Sequence, residues 1–109
     1  MKKSGQPKPP KHLSAEAKRW WKTIADSFEI EDDAGVLLLQ TALESFDLMR
    51  QAQRVIAADG IVVLDRFQQP RQHPATLVER DAKNMMLRAL KALNLDIAPA
   101  GLPGRPPGR

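Results

Sequence analysis

Nine prolines partition this chain before any hydrophobic pattern is considered. A proline has no backbone N–H, and its ring collides with the preceding turn, so it cannot sit inside a regular helix. Pro7, Pro9 and Pro10 stand near one end, Pro70 and Pro74 interrupt the middle, and Pro99, Pro103, Pro106 and Pro107 crowd the other end. Helices are thereby confined to two stretches, one from about residue 13 to 60 and one from about 74 to 97. Three segments follow: a disordered basic N-terminal arm over 1–12, an ordered body over 13–97, and a disordered Pro/Gly-rich C-terminal tail over 98–109.

The first stretch divides into two helices. Ser14 is a good N-cap, and behind it Ala17, Trp20, Trp21, Ile24, Ala25 and Phe28 recur at helical spacing, predicting an amphipathic helix that buries both tryptophans. Lys18, Arg19 and Lys22 fall off that stripe. After a hop through Glu29, Ile30 and Glu31, Asp32 or Asp33 caps a second helix with an acidic first turn, ending near Ala58 with Gly60 as its stop. Leu39, Ala42, Phe46, Met49 and Ile56 form one apolar line along it, and Leu38, Leu48, Ala52 and Val55 a second on an adjacent face. A helix of roughly 25 residues that is apolar over so much of its circumference is hard to bury in one small domain. One face is therefore expected to serve the core and the other, Leu38, Leu48, Ala52 and Val55, a neighbouring copy.

Between the two stretches lies DGIVVLDRFQQPRQHPAT, residues 59–76. Sixteen residues without structure would be unusual in so compact a domain, so a hairpin is expected: Ile61 to Asp65 out, Arg66 to Pro70 turning, Arg71 to His73 back. Pro70 must then occupy the turn or an edge. The third helix starts either at Pro74, with His73 before it, or at a Thr76-x-x-Glu79 capping box, and Asn94 is its candidate terminator. Leu77, Val78, Ala82, Met85, Met86, Ala89, Leu90 and Leu93 supply its apolar side. The fold class is mainly α: three main helices with a short β-hairpin between the second and third.

Charge separates the ends from the body. Residues 1–12 carry Lys2, Lys3, Lys8 and Lys11 without an acid, and residues 98–109 add Arg105 and Arg109. The stretch between holds 11 basic residues against all 13 acids. Basic arms on a slightly acidic body attract phosphate backbones or acidic protein surfaces. The absence of cysteine excludes disulfides, thiolate metal sites and cysteine nucleophiles, and fits a reducing cytoplasm. Neither a signal peptide nor a membrane span is expected from the hydropathy pattern.

Catalytic motifs are not found. His73 near Asp65 and Glu79 lacks the spacing of a metal-ligand set, and His-Pro at a helix start is explained by helix entry alone. His12, the other histidine, adjoins the arm. No phosphate-binding glycine loop, Gly-x-Ser-x-Gly or paired-histidine helix occurs, and the acids at 31–33 read as a helix cap. Neither a cofactor nor a metal is expected.

Taken in order, Leu13-Ser14-x-x-Ala17-x-x-Trp20-Trp21, Asp59-Gly60, Asp65-Arg66-Phe67, His73-Pro74-Ala75, Glu79-Arg80-Asp81-Ala82 and Leu93-Asn94-Leu95 resemble the small terminase subunit of tailed bacteriophages. The resemblance runs from about Pro10 to Ile97. It implies a non-enzymatic DNA-packaging factor of the host-cell cytoplasm that assembles into rings, engages double-stranded viral DNA, and presents it to the large terminase subunit, which carries the ATPase and nuclease. Some members have a glycine in the turn after the Asp-Arg-Phe piece, where this chain has Gln68 and Gln69.

On that reading the DNA-binding candidates are Lys2, Lys3, Lys8, Lys11, Lys18, Arg19 and Lys22, with Arg50, Arg54, Arg80 and Lys83 as secondary candidates because charges on long helices usually face solvent or acids. Two other classes fit the same chain: a dimeric helix-turn-helix regulator and a protein-binding helical adaptor. The short hop between the first two helices allows the former.

Overall fold

The computed structural model describes residues 7–93, which form three helices and one β-hairpin. Helix α1 spans Ala15–Ser27, α2 spans Asp33–Asp59 and α3 spans Ala75–Ala92; strands β1 (Val62–Leu64) and β2 (Pro70–Gln72) lie between α2 and α3. Candidate terminator Asn94 and the tail expected from residue 98 lie outside the described residues.

Each helix begins where a local hydrogen-bond acceptor is available. Ser14 Oγ accepts the N–H of Ala17 at 3.0 Å, while its backbone N–H donates to Asp47 of α2 at 2.8 Å, so the cap also ties α1 to α2. Asp32, rather than Asp33, caps α2 by accepting the N–H of Gly35 at 3.0 Å. A Cβ at Gly35 would stand 2.8 Å from the Asp32 carboxylate and 3.0 Å from Ile30, so the capped turn has room only for glycine. The hop is closed by Glu29 at φ 52 and by the Ile30 N–H donating to Ala25 C=O at 3.1 Å, the long bond of a Schellman turn. Ile30 is thereby turned inward and buried.

Helix α2 stops at Gly60, whose φ of 88 suits glycine and whose N–H donates to Ile56 C=O at 2.7 Å. His73 then joins the end of α2 to the start of α3. Its Nδ1 accepts the N–H of Ala75 at 3.0 Å, which leaves Nε2 to donate to the Asp59 carboxylate at 2.8 Å. Helix α3 enters through His73-Pro74, with Pro74 already helical at φ −58. Thr76 and Glu79 do not form the alternative capping box: the Thr76 hydroxyl donates to His73 C=O, and Glu79 pairs with Gln53 and Lys83.

The hairpin is antiparallel, with Val62 opposite Gln72, Val63 opposite Arg71 and Leu64 opposite Pro70. A two-stranded sheet has only edges, so Pro70 forfeits no interior bond. Asp65 organises the turn: Oδ1 accepts the N–H groups of Phe67 and Gln69 at 2.8 and 3.0 Å, and Oδ2 accepts from Arg71 at 2.9 Å. Gln68 takes the left-handed conformation at φ 62, the place where a glycine would sit without strain.

The core lies along α2. Leu39, Leu43, Phe46 and Met49 pack with Leu13, Ala17, Trp21 and Ala25 from α1 and its lead-in, and with Ala82 of α3. Ala42, Ala52 and Ala89 are also buried, and small residues of this kind let helix axes approach closely. The Asp59–His73 contact joins the C-terminal end of α2 to the N-terminal end of α3, and the two helices run antiparallel. One expectation fails here: Trp21 is 1% exposed but Trp20 is 48% exposed. Ala17, Trp21 and Ala25, at i, i+4 and i+8, are the buried residues of α1, and Trp20 lies about 100° round the helix from Trp21.

A second difference concerns the arm. Residues 7–12 do not hang free: the Trp21 indole N–H donates to Pro7 C=O at 3.1 Å, Leu13 N–H donates to Pro10 C=O at 3.3 Å, and His12 Nε2 lies 2.7 Å from Glu44 of α2. A buried indole N–H needs an acceptor, and the extended proline segment, whose carbonyls have no intrasegment partner, provides one.

The hairpin turn and the junction between α2 and α3 each respond to a single substitution. The backbone N–H groups of Gln69 and Phe67, then Arg71, hold the Asp65 carboxyl below its ordinary range. Because this pKa is depressed in the folded chain, its contribution is present above about pH 4 and is lost as pH falls through the folded value. The protection of the Phe67 and Gln69 amides against exchange, taken relative to the intrinsic rate at each pH, should fall on acidification in the parent chain, and Asp65→Asn should make that protection independent of pH. His73→Ala should lower stability by about 1 kcal/mol in chemical denaturation, because it removes the acceptor at the start of α3 together with the Asp59 tie.

Candidate nucleic-acid and assembly surfaces

The basic residues singled out from sequence are distributed along the arm and one flank of α1. Lys2 and Lys3 lie outside the described residues. Lys8, Lys11, Arg19 and Lys22 are exposed and Lys18 is half-buried. Among the described residues none of these five cations takes part in an ion pair, whereas the secondary candidates Arg50, Arg80 and Lys83 pair with Glu16, Asp81 and Glu79. Arg54 is exposed on α2.

The tie from Trp21 to Pro7 sets the arm against α1, so Lys8 follows directly on the anchored residue. Lys18 and Lys22 are four apart and share one flank of the helix, with Arg19 farther round on the same flank. Trp20 and Ile24 occupy the opposite flank. The cations therefore gather on the side of α1 that carries none of its exposed tryptophan surface. Low pairing with acids leaves their field available to an anion.

Elsewhere acids neutralise the body. Arg50 donates to both carboxylate oxygens of Glu16, at 3.3 and 3.2 Å, and to Gln53 at 2.8 Å. Gln53 donates in turn to Glu79 at 3.0 Å, and Glu79 pairs with Lys83 at 3.2 Å. This chain of contacts crosses all three helices. Gln53, then Lys83, lower the Glu79 carboxyl below its ordinary value, as Gln40 and His12 do for Glu44.

The proposed assembly residues differ in exposure. Ala52 is 4% exposed and belongs to the interior of its own chain. Leu38 is half-buried and lines a depression with Phe28, Ile30 and Leu93, where the start of α2 meets the end of α3. The reason is that α3 lies beside α2 on that side. Leu48 and Val55 are exposed at 45% and 39%, and Leu37, which belongs to neither of the two apolar lines, is exposed at 65%. Leu37, Leu48 and Val55 follow at i, i+11 and i+18, about three and five whole turns, so they fall on one outward side of α2, where exposed Glu44 lies between Leu37 and Leu48. That spacing was present in the sequence as the signal for Leu37.

A second apolar surface lies on the other side. Trp20 and Ile24 of α1, Leu43 and Phe46 of α2, and Met86 and Leu90 of α3 line a groove of about 250 Å³. Arg50 reaches its edge, with its guanidinium 4.9 Å from the centre of the Phe46 ring. The hairpin adds exposed Ile61, Val62, Leu64 and Phe67. Among the described residues no group of three or more acids and histidines could hold a metal, and no helix is long and apolar enough to cross a membrane.

The helix-turn-helix alternative is poorly served by this geometry. Its second helix would be α2, whose N-terminal turn carries Asp32 and Asp33, and acids at that end repel phosphate.

No curated protein matches the chain. No solved structure matches it either. A family model described as phage terminase, small subunit, matches residues 17–100. That span takes in α1 from Ala17 onward, α2, the hairpin and α3, and the chain belongs to the phage terminase small-subunit family.

Proposed function

We propose that this chain is the non-catalytic small subunit of a phage packaging machine, working in the host-cell cytoplasm. Copies assemble into a ring of more than two, bind double-stranded viral DNA and present it to the large terminase subunit, whose ATPase and nuclease carry out the chemistry. The observation that carries the reading is the family match from Ala17 in the first turn of α1 through α3. Two features support its finer parts: cations on the arm and α1 that have no ion-pair partner among the described residues, and exposed Leu37, Leu48 and Val55 on the outward side of α2.

Lys2, Lys3, Lys8, Lys11, Lys18, Arg19 and Lys22 are the proposed phosphate contacts. Lysine and arginine on a phosphate backbone give binding that is salt-sensitive and weakly selective for sequence. A ring multiplies such contacts, since every subunit repeats them. Leu48 and Val55, with Leu37, form one side of the proposed subunit contact.

Native mass measurement with and without duplex DNA tests the whole reading. A species of more than two chains that retains duplex is expected. A two-chain species would favour a dimeric regulator, and assembly without any DNA affinity at low salt would favour a protein-binding adaptor.

For the DNA surface, alanine replacement of Lys18, Arg19 and Lys22 together should reduce the slope of log affinity against log salt by about 0.9 for each phosphate no longer neutralised, and weaken unrelated sequences alike. The arm is better tested by neutralising Lys2, Lys3, Lys8 and Lys11 than by deletion, because Pro7 supplies the acceptor for Trp21. Unchanged slopes in both variants would place the surface elsewhere. For assembly, Leu48→Asp and Val55→Asp should each release folded single chains in sedimentation, because a buried carboxylate at a subunit interface costs several kcal/mol.

A further inference from the structure

The hairpin stands clear of the helical body. Between Ile61 and Gln72 no residue is buried, and only Val63 and Asp65 are half-buried. A two-stranded ribbon without further support is marginal in water, so one that projects and still keeps a defined turn needs a local device. Asp65 is that device, with Oδ1 taken by the Phe67 and Gln69 N–H groups and Oδ2 by Arg71. The one acid between Ile61 and Gln72 is thereby engaged within the turn itself.

The two ends of the ribbon differ in chemistry. Its root, Ile61 to Leu64, is aliphatic, whereas from Arg66 to Gln72 the chain reads Arg-Phe-Gln-Gln-Pro-Arg-Gln. Phe67 is 67% exposed, and the Arg66 guanidinium lies 5.0 Å from the centre of its ring. A guanidinium stacked on a ring keeps its in-plane N–H groups for other acceptors, and among the described residues Arg66 has no ion-pair partner. Gln68 holds φ 62, where glycine would be free of strain and glutamine is not. That strain is not offset by any hydrogen bond of the Gln68 side chain among the described residues, and strain of this kind collects at functional positions.

We propose that the hairpin tip enters the major groove of duplex DNA and reads base edges there, through Arg66, Gln68 and Gln69, with Phe67 against thymine methyl groups. This rests on the reading that the chain binds double-stranded DNA. The major groove admits a two-stranded β-ribbon, and its base edges match the side chains this tip carries: arginine to guanine, glutamine to adenine, and an apolar ring to the thymine methyl. The cations of the arm and α1 suit phosphates, which carry no sequence information directly. The arm then supplies affinity and the hairpin selection. In distance one duplex spans both: Ser14 meets Asp47, and α2 from there to Gly60 covers about 20 Å, less than the roughly 34 Å of one turn of duplex.

The test uses the full chain and a pool of duplexes with a randomised core, recovered on the protein and sequenced. The parent should enrich related sequences over the starting pool. Gln68→Gly relieves the turn while removing the amide, and Arg66→Lys keeps the charge while removing the planar fork. Each should lower the preference for an enriched duplex over an unrelated one by about tenfold. Affinity for the unrelated duplex, the salt slope and the native mass should stay at parental values. Alanine replacement of Lys18, Arg19 and Lys22 should do the reverse, losing affinity and slope while keeping the preference.

Parental preference in either hairpin variant would overturn the proposal. A parent that retains duplex without enriching any sequence would overturn it too, while leaving the DNA-binding reading intact. A parent that retains no duplex at low salt would sink both. A hairpin variant whose native mass falls below the parental value would also overturn the proposal, and would assign the tip to contact between copies.

Discussion

The length of α2 governs this molecule. At about 1.5 Å per residue its 27 residues extend about 40 Å, whereas the 13 of α1 and 18 of α3 extend about 20 and 27 Å. Two shorter helices cannot wrap such a spine. α1 covers one flank of it and α3 another, and the side turned away from both retains Leu37, Leu48 and Val55 in solvent. The hydrophobic effect that drives the core together also leaves a defined apolar remainder. Its position is fixed by where the shorter helices fall.

Polar contacts fix the rotation of those helices about α2. Ser14 bonds both its own helix and Asp47, so capping α1 and docking it are one event. The run Glu16, Arg50, Gln53, Glu79 and Lys83 crosses from α1 through α2 to α3. These groups are partly exposed, and each pairing contributes only a few tenths of a kcal/mol. Their effect is on register: a helix rotated by one residue would forfeit the contacts that cross between helices, Glu16–Arg50 and Gln53–Glu79. Among the described residues no buried side-chain nitrogen or oxygen is left without a partner, so the packing is consistent at the polar as well as the apolar level.

Local chemistry made much of this fold legible. Ser14 as a cap, the acidic entry to α2, Gly60 as its stop, His73-Pro74 as the entry to α3 and the hairpin between them all depend on residues within a few positions of one another. Alternatives that were locally equal needed the structure. Asp32 rather than Asp33 became the cap because its carboxylate reaches Gly35. His73 prevailed over Thr76 because Asp59, fourteen residues away, holds its ring. Gln68 in a left-handed turn was not legible, since nothing in its side chain favours that conformation; Asp65 imposes it from outside by capturing the N–H groups on either side.

The candidate surfaces divide in the same way. Sequence alone determined that the chain is mainly helical, that its cations concentrate toward the N-terminal end, and that α2 carries more apolar residues than one face can hold; composition and periodicity are properties of the chain itself. Only the tertiary structure decided that Trp21 is core and Trp20 is surface, that Ala52 and Leu38 face their own subunit while Leu37, Leu48 and Val55 face outward, and that residues 7–12 lie along the body. Periodicity states which residues share a side of a helix. Which side meets a neighbour depends on where distant segments pack, and that is set by the joint burial of Trp21, Leu39 and the residues around them.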